Sequence, residues 1–72
     1  MYSVDVDKLN GKIAECRLTQ EGLALELGID RGTLRRRLNG NTLRIGDVHK
    51  ICEVLNLTNE EALIIFLHKE LQ

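Results

Sequence analysis

The chain has 72 residues, no proline and a formal charge of −1. That length holds one small domain and nothing larger, and such a domain buries only about 60% of its unfolded surface, so its core has to be small and closely packed. With 43% apolar and 29% charged residues the composition is globular rather than disordered, while Tyr2 and Phe66, the only aromatics, are too few for a base-stacking platform or an aromatic cage.

In chain order, the N-terminal stretch MYSVDVDK is acidic and lacks the apolar run of a signal peptide. Val6, Leu9, Ile13 and Cys16 step by three and four residues, a single apolar stripe that predicts a first helix over about 5–16. Thr19 is a good N-cap for a second helix, which Gly28 stops, because glycine takes the left-handed conformation without strain. Asp30 caps a third helix through about Leu38, ended by Asn39-Gly40. A fourth helix spans roughly 44–55, with Ile45, Val48, Ile51, Cys52 and Leu55 inward; its start is weakly signalled, since neither Thr42 nor Arg44 makes a clean capping box. Thr58 and Glu61 do make one, opening a fifth helix expected to reach Leu71. No stretch alternates at period two, so no strands are predicted. The fold class is all-α, five short helices in a single domain.

The two cysteines, Cys16 and Cys52, are 36 residues apart, with neither a C-x-x-C pair nor a histidine pair to complete a zinc site. Both are read as small buried hydrophobes in a reducing compartment. The longest apolar run, Ala62 to Leu67, is far short of the roughly 20 residues of a membrane span. No G-x-S-x-G, H-E-x-x-H or phosphate-loop pattern is present, and His49 and His68 read as ordinary helix residues. The expectation is a cytoplasmic protein that is not an enzyme and carries no cofactor or metal.

Three residues, Gly28-Ile29-Asp30, join the second and third helices, so these helices must cross steeply. Ala24 is small enough to let them approach, and Ile29 is apolar, as a turn docked on the core requires. Together these features describe a helix-turn-helix at about 19–39.

The net charge averages over a strong asymmetry. Residues 1–30 balance to −3 and residues 46–72 to −3, whereas residues 31–45 carry Arg31, Arg35, Arg36, Arg37 and Arg44 and no acid, a balance of +5. Arginine supplies planar bidentate donors that suit phosphate and guanine edges. With Leu34 at zero on a helix turning about 100° per residue, Leu38 lies beside it on the buried side. Gly32 and Arg36 then point directly away, and Thr33 and Arg35 flank them. Arg31 is nearer the core edge but can project past the helix end. Arg37 falls where an apolar residue is usual, its stem on the core rim and its guanidinium in water.

Leu18-Thr19-Gln20-Glu21-Gly22-Leu23-Ala24, Leu27-Gly28-Ile29, Thr33-Leu34 and Leu38-Asn39-Gly40 together resemble the phage repressor and Cro type of helix-turn-helix, the XRE family. The match is close over about 18–40 and loose over 5–57. The Thr33-Leu34 … Leu38-Asn39-Gly40 variant and the short last helix are most similar to Cro-like and modulator-of-repression proteins of temperate phages in Gram-positive hosts. The resemblance implies a lambda-repressor-like fold and double-stranded operator DNA as partner. It places Gln20 on a phosphate beside the groove, or else leaves it an exposed first-turn residue. Arg31 and Gly32 take the first two positions of the recognition helix, and Arg35 and Arg36 match groove-facing positions one turn further on, with Thr33 a candidate through its outward angle. Asn39 and Thr42 match backbone contacts, though Asn39 has the alternative of only capping its helix. Gly32 departs from the family in offering no side chain where a base is often read, and Gly22 and Gly32 each cost their helix about 1 kcal/mol relative to alanine.

The last helix is apolar all round from Ala62 to Leu67, more than a small domain can bury. Leu63, Phe66 and Leu67 make one inward face, which leaves Ile64 or Ile65 exposed; Ile64, Ile65 and Phe66 are the candidate protein-contact residues. They would serve a homodimer that presents two recognition helices to DNA, or a partner phage repressor inactivated by direct contact. The two expectations are thus a DNA-binding regulator of a lysis–lysogeny switch and, alternatively, an antirepressor of the same fold.

Overall fold

The computed structural model describes residues 2–69. It contains β1 (Tyr2–Ser3), α1 (Val6–Glu15), α2 (Gln20–Leu27), α3 (Arg31–Asn39), α4 (Ile45–Leu55), α5 (Asn59–Phe66) and β2 (His68–Lys69). The first four helices lie where the apolar spacing and caps predict them, and the fifth begins where its capping box predicts. Asp5, Thr19, Asp30 and Thr58 each accept a backbone N–H from the first turn of the helix they precede. At α5 the box closes as expected, since Glu61 also accepts the Thr58 backbone N–H at 3.0 Å.

The first four helices end alike. Arg17, Gly28, Asn41 and Asn56 adopt left-handed backbone with φ of 58°, 74°, 56° and 52°. Just beyond each of them, a backbone N–H folds back onto the last helical turn: Leu18 to Ile13, Ile29 to Ala24, Thr42 to Arg37, and Leu57 to Cys52. This is the Schellman closure, which satisfies carbonyls that a helix end otherwise leaves open. Leu18, Ile29 and Leu57, released from their helices by the reversal, pack against the core. The turn of the helix-turn-helix is therefore one instance of a device used four times.

Leu9, Ile13, Leu23, Ala24, Leu34, Leu38, Ile51, Leu55, Ile65 and Phe66 form one buried cluster with contributions from every helix. The second helix is central, packed on α1, α3 and α4, while α5 lies against α1. Among the described residues no helix is long and apolar enough to cross a membrane.

The fold departs from these expectations at several places. The last helix stops at Phe66, and His68–Lys69 instead pairs antiparallel with Tyr2–Ser3, a strand pair too short for periodicity to reveal; Leu71 lies outside the described residues. Ile45 is 75% exposed rather than inward, because it is the first residue of α4 and precedes the turn that meets the core. Cys16 is exposed, because α1 ends at Glu15 and position 16 has left the stripe; its thiol donates to the Leu55 carbonyl at 3.6 Å. Leu63 and Leu67 face solvent, whereas Ile65 and Phe66 are in the core. Of the candidate contact residues on α5, only Ile64 is therefore exposed. The Asp5 backbone N–H meets the Ile65 carbonyl at 2.7 Å and ties the C-terminal turn of α5 to the start of α1.

Candidate nucleic-acid interface

The third helix is held on its inner side by Leu34 and Leu38, both buried. That anchorage turns the opposite side outward, and Arg31, Arg35, Arg36 and Asn39 are exposed there, with Gly32 and Thr33 half-buried. Thr42 and Arg44, on the connection to α4, are exposed as well.

Four of the expected residues meet in one place. Gln20, Arg31, Arg35 and Asn39 line a shallow polar hollow between the start of α2 and the length of α3, with Val6, Asn10 and Leu38 completing its wall. The Gln20 amide is not a loose surface group, because its Nε2 donates to Asn10 Oδ1 at 2.8 Å. That bond fixes the first turn of α2 against α1. Asn10 is a site residue the sequence did not announce: it is one polar position on an amphipathic helix, and only the packing of α1 beside α2 brings it to Gln20.

Gly32, Thr33 and Arg36 form a separate ridge. Arg36 Nη2 donates to Thr33 Oγ1 at 3.1 Å, and the Thr33 hydroxyl donates to Asp30. The Thr33 hydroxyl and backbone N–H hold the Asp30 carboxyl below the usual carboxylate range, with Arg36 a lesser cause. Thr42 stands apart from hollow and ridge, on the loop that closes α3.

The five arginines divide by role. Arg37 Nη1 meets Asp47 at 3.1 Å, and both side chains are largely buried. Its stem lies on the core rim as expected, but its head group is paired rather than in water. The same Asp47 carboxylate accepts the Arg44 backbone N–H at 3.1 Å, which supplies the α4 cap that the sequence left unclear. Arg31, Arg35, Arg36 and Arg44 have no ion-pair partner among the described residues. Four unpaired guanidinium groups around one convex helix and its flanking loop make a positive surface, backed by a protein whose remaining segments are acidic. Such a surface attracts phosphate, and the narrow cylinder of α3 fits a major groove. Among the described residues no cluster of His, Cys, Asp and Glu is arranged to hold a metal ion.

Comparison with curated proteins and with solved structures finds no significant match. A helix-turn-helix family model matches residues 12–61, from within α1 to within α5, which is most of the chain and all of α2 through α4. The matched segment holds the capped α2, the Gly28 turn, the arginine-bearing α3 and the buried residues beneath them. The chain belongs to the XRE-type helix-turn-helix family, and it is a DNA-binding transcription regulator.

Proposed function

We propose that this chain is a small phage-type regulator of a lysis–lysogeny switch, a non-catalytic protein that binds operator DNA with α3 in the major groove. The observation that carries the DNA-facing geometry is the shared hollow of Gln20, Arg31, Arg35 and Asn39. It joins the first turn of α2, where a phosphate is met, to the face of α3 that enters the groove. The lysis–lysogeny role is supported by the resemblance of the Leu18–Gly40 segment to Cro-like proteins.

The regulator acts as a homodimer. Ile45, Leu63 and Leu67 are exposed by 75%, 56% and 54%, and they line one apolar groove between α4 and α5 together with Val48, Ala62 and Phe66. Among the described residues no charged side chain lines it, so two copies can meet there without like charges from these residues in opposition. Two recognition helices would then address half-sites about 34 Å apart.

A titration of duplexes from the control region beside its own gene tests this. A specific complex is expected, with log K falling linearly with log salt by about 0.9 per neutralised phosphate. No complex at low salt would refute the reading. Leu63→Asp should yield a monomer in sedimentation and abolish binding to paired half-sites, while leaving the far-ultraviolet spectrum unchanged.

The second reading is an antirepressor. It is favoured by Ile64, exposed on the other side of α5 beside Lys8, Lys12, Glu15 and Glu61, a mixed-charge rim suited to a protein partner. Under this reading the cognate repressor co-purifies with the chain, and Ile64→Asp removes it without altering DNA affinity.

A further inference from the structure

Position 32, the second residue of the recognition helix, carries no side chain, yet the space beside it is occupied. An alanine Cβ there would lie 3.5 Å from Arg36 Nη1 and 3.1 Å from Asp30 Oδ2. Helical side chains lean toward the N-terminus, so Arg36, one turn further along, lies back over Gly32. It is held in that position by a chain of contacts rather than left free. Arg36 Nη2 donates to Thr33 Oγ1 at 3.1 Å, and the Thr33 hydroxyl donates to Asp30 Oδ1. Asp30 Oδ2 in turn accepts the Thr33 backbone N–H at 3.2 Å, which locks the carboxylate to the helix end.

We propose that Arg36 reads a guanine edge from the space Gly32 leaves open, and that Thr33 and Asp30 are the positioning residues that hold it there. This rests on the DNA-binding reading above and adds the base and the means of aiming at it. Only one guanidinium N–H is used on Thr33, which leaves a planar pair for the O6 and N7 acceptors of guanine. A fixed arginine loses less side-chain freedom on binding than a mobile one, so its orientation is available before the DNA arrives. Arg36 is exposed on the side of α3 opposite the buried Leu34 and Leu38, the side that faces base edges when the helix lies in the groove. The glycine is thereby accounted for: it gives up its own base contact and frees that space for Arg36.

The test is selection from a library of short duplexes with a randomised central segment, sequenced after binding to the wild-type chain and its variants. The wild type is expected to enrich a motif with guanine at one position. Arg36→Ala should lose roughly 5- to 150-fold discrimination at that position alone. Arg36→Lys should weaken the preference while keeping most of the total affinity, since it keeps the charge and a donor but not the planar fork. Thr33→Val should weaken the same preference about 2- to 10-fold, the worth of one hydrogen bond, and Thr33→Ser should restore it because the hydroxyl returns. A merely structural role for Thr33 would lower affinity for all sequences equally. An unchanged guanine preference in Thr33→Val, or a loss in Arg36→Ala spread evenly over all positions, overturns the assignment and leaves DNA binding standing. Failure of the wild type to enrich any sequence overturns both.

Discussion

Of the five arginines between Arg31 and Arg44, Arg37 is the one the fold consumes. Its guanidinium closes on Asp47, and that carboxylate also caps α4 through the Arg44 backbone N–H. One acidic side chain thus secures both ends of the loop after the recognition helix. Asp47→Ala should cost about 1–3 kcal/mol in urea unfolding, through the buried unpaired guanidinium and the open helix end. Asp47→Asn should recover part of this, because its amide oxygen still accepts the backbone N–H. Leu34 carries the opposite duty on α3. It is fully buried, so Leu34→Ala should cost about 2–5 kcal/mol through the cavity it leaves. Sequence angles separated Leu34 from Arg35 and Arg36 correctly, because on a short regular helix two buried leucines fix the orientation of every neighbour. The partner of Arg37 was not legible, since Asp47 lies ten residues away across a loop.

At the scale of the element, the helices are delimited by local chemistry at both ends. Gly28 is the one left-handed C-terminal residue that needs no tolerance of a side chain, and Gly28→Ala should lower stability by about 1 kcal/mol. The converse holds at Arg17, where a side chain is held at φ of 58°; Arg17→Gly should be neutral to stabilising in a thermal melt despite the added chain freedom. Glu61 works across elements as well as within its own. It closes the Thr58 cap and pairs with Lys12 on α1. Lys12 and the Thr58 backbone hold its carboxyl below the usual range. A lowered folded value means that this stabilisation is present above the unfolded value and is lost as pH falls through the folded one. Melting temperature should therefore decline below about pH 4, and Glu61→Gln should flatten that decline. Lys12 is shifted up, chiefly by Glu61, so its part persists until pH rises beyond about 10.5.

For the whole molecule, the arrangement separates two surfaces by sharing one core. Leu34 and Leu38 seat the arginine-bearing helix on one side of the cluster, and Ile65 and Phe66 seat α5 elsewhere on it. Each helix then has an unpaired outer face, cationic on α3 and apolar on α5. The acidic flanks limit non-specific attraction to DNA, so affinity should rest on few phosphate contacts. A shallow salt dependence, with Arg35→Ala reducing the slope of log K against log salt by about 0.9, would show Arg35 on a phosphate; an unchanged slope would place it elsewhere.

Local signals in the chain were enough for the class, the starts of α2, α3 and α5 and the recognition segment, because caps, left-handed stops and i, i+3, i+4 spacing act within a few residues of one another. The formal charge of −1 concealed the arginine cluster only until it was counted along the chain. Long-range packing settles which of several equivalent choices is used. The six consecutive apolar residues from Ala62 to Leu67 could bury any face, and packing against the other helices takes Ala62, Ile65 and Phe66 and leaves Leu63, Ile64 and Leu67 outside. Likewise Asn10 reaches Gln20 only when α1 and α2 pack. Local signals set where helices begin and end, but the orientation of a uniformly apolar helix depends on the chain it meets, and that is a long-range property.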